Sequence, residues 1–248
     1  MVERLGESRI EVCPPGVEPS TAANPSTPSW DRWLLPRYRW YFPPATVVFH
    51  RCHSTSDLVI LTEVGVTKIA WHMKGFGKFL VLGYPGYVLT CHPLLSEAQC
   101  PVSAVAVTNC VVYRVPWSIF HQMIQKHEEI MRLLLAQQQM VMGDPISTLL
   151  DHRTLTGEQR FQKLTIRLFR QLRALYPDAA SICLPSTLSQ RDIAQIIGLS
   201  VEEVSRIKRR LVANGILDQQ KRQIIVRRPE LLFGYGTRTS EAFQSRAF

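Results

Sequence analysis

Residues 189–216 constrain the fold of this chain more than any other stretch, because they hold two short amphipathic helical patterns. Ser189 can cap the first helix, and Asp192 three residues later completes an acidic form of the capping box. The same pattern returns as a full Ser-x-x-Glu box at Ser200 and Glu203. A Gly-Leu-Ser turn joins the two patterns, which together predict a helix-turn-helix.

The second predicted helix has one apolar and one polar face. Val204, Ile207 and Leu211 recur at helical spacing and are expected to pack inward. The opposite face carries groups that can hydrogen-bond to base edges in DNA, and these are Glu202, Ser205, Arg206 and Arg209. Taken alone, this polar face could equally be the ordinary solvent-exposed side of an amphipathic helix. The capped helix before it and the segment after it favour a face that binds DNA.

The segment that follows, residues 217–228, predicts a β-hairpin. Ile224 and Val226 alternate as in a half-buried strand, and the polar turn before them carries Lys221 and Arg222. A hairpin beside the helix pair would act as a wing whose cations contact phosphates. The sequence therefore predicts a winged helix-turn-helix.

These segments resemble the DNA-binding domain of the Crp/Fnr superfamily of bacterial transcription regulators. Residues 188–194, residues 197–200 and the Glu-x-x-Ser-Arg signature of residues 202–206 follow the family pattern. That signature is similar to the branch typified by the fumarate–nitrate regulator, in which the three residues read TTGA-type half-sites. The catabolite activator protein's additional recognition arginine aligns with Val201, so that contact is expected to be missing. The residues thus assigned to DNA binding are Glu202, Ser205, Arg206, Arg209, Ser189, Gln190, Lys221 and Arg222.

Positive charge is concentrated in the C-terminal part of the chain. Residues 1–150 hold 12 Lys+Arg and 11 Asp+Glu, whereas residues 151–248 hold 17 and 9, so most of the formal charge of +9 lies there. A basic module beside a nearly neutral one is typical of nucleic-acid binding. An anionic membrane surface would also attract this charge, but the sequence has no run of about 18 apolar residues and no signal-peptide pattern. We therefore expect a cytoplasmic protein that binds double-stranded DNA and no membrane.

The rest of the chain divides by composition. The first 36 residues are rich in proline with little apolar periodicity, which predicts disorder. Six apolar stretches between residues 46 and 112 are separated by Gly and Pro, with a hairpin at Gly75 and Gly77 and a turn at Pro85-Gly86. This part resembles the superfamily's sensor domain, a cyclic-nucleotide-binding-like double-stranded β-roll.

Residues 117–142 show a long helical pattern, which Gly143-Asp144-Pro145 is expected to kink or interrupt. A core helix within one domain is the alternative interpretation. In the family that the chain resembles, this helix is the dimer coiled coil. The resemblance therefore implies a homodimer whose seam contains Ile130, Leu133, Leu134, Met140 and Val141.

These expectations define an α+β fold with an N-terminal β-roll, a long dimerisation helix and a C-terminal winged helix-turn-helix. Its segments are a disordered extension over residues 1–36, a β-roll sensor over 37–116, a dimerisation helix and hinge over 117–152, a winged helix-turn-helix over 153–232 and a tail over 233–248.

The signal that such a β-roll would receive is less constrained. Relatives that bind cyclic nucleotides hold the phosphate with a Gly-Glu and an Arg-Ser pair; the aligned positions here are Thr90-Cys91 and Cys100-Pro101. The sequence has no Arg between residues 52 and 113. A buried phosphodiester without a cation is poorly compensated, so we exclude cyclic AMP as the effector.

Cys91, His92 and Cys100 are the candidate effector residues, because they lie where relatives receive their signal. The six cysteines include no C-x₂-C pair, which excludes zinc-ribbon spacing, and we assign no metal site. Most are expected to be small buried hydrophobes. An ungapped alignment puts His92 at the ligand histidine of the haem protein that senses carbon monoxide. No cofactor is assigned, and haem, thiol redox chemistry and an unidentified small molecule stay open.

The sequence contains no glycine-rich phosphate loop, no G-x-S-x-G and no H-E-x-x-H. A small-molecule enzyme with an accessory basic domain is the competing class; it would need a pair such as Cys91 and His92, whose side chains point apart as sequence neighbours. An architectural nucleic-acid-binding protein would explain the charge but not the β-roll. The sequence therefore favours a homodimeric, sequence-specific transcription regulator, activator or repressor, with RNA polymerase as a further partner.

Overall fold

The computed structural model of the chain describes residues 30–49, 58–73, 77–90, 102–179, 181–220 and 223–232. Two β-sheets form its first part, two helices follow, and a domain of helices around a small sheet completes it. This arrangement confirms the predicted α+β class. The disordered extension was expected over residues 1–36, but its last part, residues 30–36, is folded, because Trp30 and Leu34 are buried in the apolar cluster of the roll. Residues 1–29 and the expected tail over 233–248 lie outside the described residues.

The first part is a roll of two four-stranded antiparallel sheets, with strand orders β1-β8-β3-β6 and β2-β7-β4-β5. Two short 3-10 helices, Trp30–Arg32 and Pro36–Tyr38, precede it. The strands are β1 (Arg39–Phe42), β2 (Val47–Phe49), β3 (Leu58–Val64), β4 (Thr67–Met73), β5 (Gly77–Gly83), β6 (Val88–Thr90), β7 (Val102–Ala106) and β8 (Cys110–Pro116). Strands β1 and β6 were absent from the sequence prediction.

Alternation of buried and half-buried residues builds the interior of the roll. In β7, Val102, Ala104 and Ala106 are buried while their neighbours are half-buried, as expected for a strand with one face on a core. The β4–β5 hairpin confirms the predicted reversal, with Met73 opposite Gly77.

The expected single helix over residues 117–142 is instead two helices, α1 (Trp117–Lys126) and α2 (Glu128–Thr154). His127 lies between them in an extended conformation; its N–H donates to Met123 O, and its carbonyl accepts from Ile130 N. The break lets Phe120 and Ile130, which would lie about 15 Å apart along a straight helix, enter one apolar cluster with Trp30.

Ile130 has no exposed surface, because it packs inside this cluster with residues of the roll. Ile130 therefore belongs to the core of the protomer and has no exposed surface with which to contact a second protomer. This burial corrects its assignment to the dimer seam.

Helix α2 continues through Gly143-Asp144-Pro145, where the sequence predicted a kink or interruption. Contacts beyond the proline hold the continuing helix in place: Lys163 Nζ donates to Ser147 Oγ at 3.0 Å and to the carboxylate of Asp151 at 2.6 Å. These tertiary contacts offset the hydrogen bond that a proline removes.

The C-terminal domain packs three helices against a three-stranded sheet of order β10-β11-β9. The capping box of Thr156 starts its first helix at Gly157. The elements are α3 (Gly157–Leu175), β9 (Ile182–Leu184), α4 (Gln190–Ile197), α5 (Val201–Ala213), β10 (Leu217–Gln220), β11 (Gln223–Val226) and α6 (Pro229–Leu232).

The roll and the C-terminal domain share one apolar cluster. Val66, Leu82, Tyr84 and Val107 of the roll belong to the same buried group as the core of α3, α4 and α5. Across this contact Thr187 Oγ donates to Val107 O at 2.6 Å. The helix pair is therefore held in a defined place relative to the roll.

Gly198 ends α4 in a left-handed conformation with φ of 63°. The imidazole of His152, from the end of α2, packs directly against it, so a Cβ atom at this position would collide with the ring. Glycine is required here both for its backbone angles and for the close approach of α2.

We expect Gly198→Ala to lower the free energy of unfolding by more than the about 1–2 kcal/mol that a left-handed residue costs, because the imidazole of His152 must also move. Gly215→Ala is the matched control: Gly215 has φ of 66°, but a Cβ atom there would meet nothing within 4 Å. Urea unfolding measures both, and His152→Ala should remove the difference between them. Equal losses in the two glycine variants would contradict the contact.

Candidate nucleic-acid interface

Two complete capping boxes position the helix pair. Ser189 Oγ accepts from Asp192 N at 3.1 Å, and the Asp192 carboxylate accepts from Ser189 N at 3.1 Å. The second box repeats this geometry, with Glu203 N to Ser200 Oγ at 3.1 Å and Ser200 N to the Glu203 carboxylate at 3.0 Å. Both boxes were predicted from sequence and are confirmed.

The face of α5 predicted to read DNA is open. Glu202, Arg206 and Arg209 are exposed and Ser205 is half-buried, while the opposite face is closed in the core by Val204, Ile207 and Leu211. Among the described residues, no carboxylate forms a salt bridge with Arg206 or Arg209, and Arg209 Nε donates to the backbone carbonyl of Ser205 at 3.4 Å. Both guanidinium groups thus keep donors for an external acceptor.

Glu202 and Glu203 have different environments. The backbone amide and the hydroxyl of Ser200 hold the pKa of the Glu203 carboxyl below its usual value, because both donate to the carboxylate. Glu203 is thereby committed to the cap of α5. Glu202, one residue earlier, is the carboxylate left to face a ligand.

Ser189 and Gln190, at the start of α4, line a cleft of 1060 Å³ between α4, α5 and the strands of the wing. Gln219 and Gln220 of β10 and Gln223 of β11 form its other side. The predicted wing residues Lys221 and Arg222 lie outside the described residues.

Lys208 of α5 also lines this cleft, and the sequence analysis did not identify it. Only 8% of its surface is exposed, and this burial lowers the pKa of its ammonium group. A signal was present in the sequence: Lys208 follows Val204 by four residues, which puts a cation beside the inward face of α5.

Two other cations of this domain are engaged in ion pairs. Arg210 lies 2.8 Å from the carboxylate of Glu158, and Arg227 lies 2.8 Å from that of Asp218. They support the packing of α5 on α3 and of the wing, so the positive charge of the domain is not all available to DNA.

Asp192 connects the helix pair to the roll. Its carboxylate accepts from Lys68 Nζ of β4 at 2.9 Å as well as from Ser189, and both ion-pair side chains are largely buried. Burial alone would raise the pKa of Asp192, but the hydrogen bonds from Lys68 and Ser189 outweigh it and lower the pKa. The charged form therefore stabilises this contact.

Cys91, His92 and Cys100, the candidate effector residues, lie outside the described residues. Cys110 is fully buried in the roll, and this burial raises the pKa of its thiol to about 11. At neutral pH Cys110 stays a thiol and behaves as a small buried hydrophobe.

The remaining predicted dimer residues lie along α2. Leu133 and Leu134 are half-buried, and Leu134 packs against the protomer's own apolar cluster. The side chains of Met140 and Val141 lie outside the described part. Sequence reasoning missed the large apolar side chains that α2 leaves exposed, which are Met131, Leu135, Leu149 and Leu150.

Within the described residues, none of the helices is both long enough and apolar enough to cross a bilayer.

Residues 163–233 match the family model of the Crp-like helix-turn-helix domain. No curated protein sequence matches the chain significantly. Among solved structures, FixK2 from Bradyrhizobium japonicum is similar over 79% of this chain and 96% of its own, with 20% identity and a TM-score of 0.61.

A transcriptional regulator of the CRP/FNR family from Thermus thermophilus is similar over 80% of this chain and 97% of its own, with 13% identity and a TM-score of 0.60. A mutant of CooA from Carboxydothermus hydrogenoformans is similar over 78% of this chain and 85% of its own, with 12% identity and a TM-score of 0.55. At these identities the likeness establishes the fold.

The lowered pKa of Asp192 gives a testable pH dependence. The stabilisation is complete above the ordinary value of 3.8 and is lost as the pH falls through the lower value of the folded state. We expect Asp192→Asn to lower stability at pH 7 by about 1–2 kcal/mol, and the difference from the unmodified protein to shrink as the pH drops below about 4.

Thermal unfolding followed by circular dichroism between pH 7 and pH 3 measures this difference. Asp178→Asn, at an exposed carboxylate with no described ion pair, is the matched control and should follow the unmodified protein. If Asp192→Asn runs parallel to the unmodified protein down to pH 3, its carboxylate does not stabilise the contact with Lys68.

Proposed function

The chain carries a Crp-like helix-turn-helix domain within the fold of the Crp/Fnr regulators, and from this premise we propose that it is a transcription regulator that binds palindromic TTGA-type sites as a homodimer. A signal received by the β-roll would control binding, and RNA polymerase would be the partner through which the bound protein acts.

The exposed face of α5 is the observation that carries this proposal. Arg can bind guanine bidentately, Glu accepts from the amino group of cytosine, and Ser can donate or accept. Glu202, Ser205 and Arg206 bring these three groups to one side of a helix whose other side is closed in the core. The three residues stand in the same order as in the Glu-x-x-Ser-Arg signature of the family branch that reads TTGA-type half-sites.

A palindrome requires two reading helices about 34 Å apart, related by a two-fold axis. Helix α2 is the element that we propose to pair, because it exposes apolar side chains to solvent. Met131 and Leu135 are 41% and 59% exposed and lie four residues apart, on one side of the helix. The seam proposed here uses these two side chains together with Leu133, Leu134, Met140 and Val141 from the sequence prediction. It leaves out Ile130, because that side chain is fully buried within the protomer.

The signal is proposed to act at the roll segment that contains Cys91, His92 and Cys100. Two specific signals are proposed at these residues, namely haem binding and thiol redox chemistry. The buried Cys110 is not a candidate, because its raised pKa keeps it protonated at neutral pH. An absorption spectrum of the purified protein distinguishes haem from the other signals.

We expect Arg206→Ala to reduce discrimination between a TTGA-type palindrome and random DNA by a factor on the order of 10 to 100, because a bidentate contact with guanine is lost. Affinities for both DNAs at one salt concentration measure this. Arg210→Ala is the matched control: it removes the same charge from the same helix, but from a residue bound to Glu158. An equal loss on both DNAs in Arg206→Ala would make Arg206 a phosphate contact and contradict its reading role.

We expect Leu135→Glu to give a folded monomer that binds the palindrome weakly, because two carboxylates would meet across the two-fold seam. Ala136→Glu, at an exposed position about 100° further around α2, is the control and should remain dimeric. Sedimentation and circular dichroism measure assembly and folding. A dimeric Leu135→Glu variant with unchanged affinity would place the interface elsewhere.

A further inference from the structure

A small pocket lies where the end of α2 meets α3 and the last turn of α4. Charged and polar groups of two helices line it, and these include Ser147, Asp151 and His152 of α2 and Arg160, Lys163 and Arg167 of α3. Among its described lining residues, three permanent cations thus stand against one carboxylate. This excess of positive charge suits the pocket to an anion.

Arg160 brings to this pocket a donor that no described residue satisfies. Its Nε–H is buried and has no hydrogen-bond acceptor in the described part of the chain. Its Nη1 donates to Nδ1 of His152; because a guanidinium can only donate, this ring nitrogen accepts and the imidazole is neutral in the contact. A buried donor on a charged group costs free energy when it has no acceptor, and in native proteins such atoms commonly face a bound water or ion.

The carboxylates around the pocket do not supply that acceptor, because each is engaged elsewhere. Both oxygens of Asp151 accept from Lys163 Nζ, at 2.8 and 2.6 Å. Glu158 is paired with a cation of α5. Glu203, which interacts electrostatically with Arg160, is committed to the cap of α5. An acceptor for the Nε–H of Arg160 must therefore come from outside these side chains.

Two further groups favour an anion in the same place. The hydroxyl of Ser147 accepts from Lys163 Nζ at 3.0 Å, and its own hydrogen has no acceptor among the described residues. The guanidinium of Arg167 lies 4.3 Å from the ring centroid of Tyr84 of the roll, and this contact holds a second guanidinium in the lining. The pocket therefore combines a hydroxyl donor and two fixed guanidinium groups.

The size of the pocket restricts its occupant. Its volume is about 80 Å³, several times what one water needs, about 10–15 Å³. It is also well below the volume at which pockets for drug-sized ligands begin, about 300 Å³. The pocket is thus too small for a nucleotide or a haem, whereas a tetrahedral oxyanion such as phosphate or sulfate fits.

We propose that this pocket binds a small free oxyanion, phosphate or sulfate, which accepts from Arg160 and from the hydroxyl of Ser147. A guanidinium presents Nε and Nη2 side by side, so it can bind two oxygens of one anion while Nη1 stays on His152. The bound anion joins α2 to α3 and stabilises the folded protein in the absence of DNA. This site lies outside the β-roll, goes beyond the proposed function and does not rest on it.

Thermal unfolding without DNA tests the site. Replacing sodium chloride with sodium phosphate at equal ionic strength should raise the melting temperature by about 2–4 °C when phosphate is at about five times its dissociation constant. Because phosphate and sulfate stabilise folded proteins in general, the measure is the difference between variants. Arg160→Gln removes the guanidinium and should lose the specific rise. Arg153→Gln, at an exposed arginine near the end of α2, is the matched control and should keep it.

Calorimetric titration with inorganic phosphate is a second measurement, and on the unmodified protein it needs no variant. It should show one saturable site per chain. Ser147→Ala should weaken this binding by a factor on the order of 2 to 10, the loss of one hydrogen bond. Glycerol phosphate, which is too large for the pocket, should not bind. Circular dichroism verifies that each variant is folded.

Three results would overturn the proposal. Equal rises in the unmodified protein and in folded Arg160→Gln, or no saturable site in the titration, would leave only water at Arg160. Equal binding of glycerol phosphate would place the anion outside this pocket. A smaller slope of log DNA affinity against log salt in Arg160→Gln, with its response to phosphate unchanged, would assign the guanidinium to DNA instead. None of these results bears on Arg206, whose role is measured by discrimination between DNAs.

Discussion

The carboxylate of Asp192 is the contact on which the placement of the reading helices depends. One of its oxygens accepts from the amide and hydroxyl of Ser189 and from the ammonium of Lys68. The first two bonds start α4, and the third ties it to the roll. Because Gly198 fixes the angle at which α5 follows α4, this ionised group helps to orient the whole helix pair, together with the shared apolar cluster and the hydrogen bond from Thr187 to Val107.

The parts of the structure that the sequence predicted well are those determined by neighbours in the chain. The capping boxes at Ser189 and Ser200 join residues three apart, and the inward face of α5 follows from helical spacing alone. The hairpins are equally local. Such signals are independent of what the rest of the chain does, which is why the exposed polar face of α5 could be predicted before the fold was known.

The features that the sequence did not predict depend on partners far along the chain. The break at His127 follows from Phe120 and Ile130 sharing a cluster with Trp30. Lys68 and Asp192 are 124 residues apart, and no local pattern links them. Lys208 escaped notice because spacing assigns a residue to a face but does not reveal the cleft that the wing forms over it.

Helix α2 acts as a strut between the two halves of the protomer. Its 27 residues span about 40 Å. Ile130 anchors one end in the cluster of the roll, and Asp151 and His152 fix the other end against α3 and the Gly198 turn. One continuous helix thus connects the apolar cluster around Ile130 to the glycine that ends α4, two places at opposite ends of this strut.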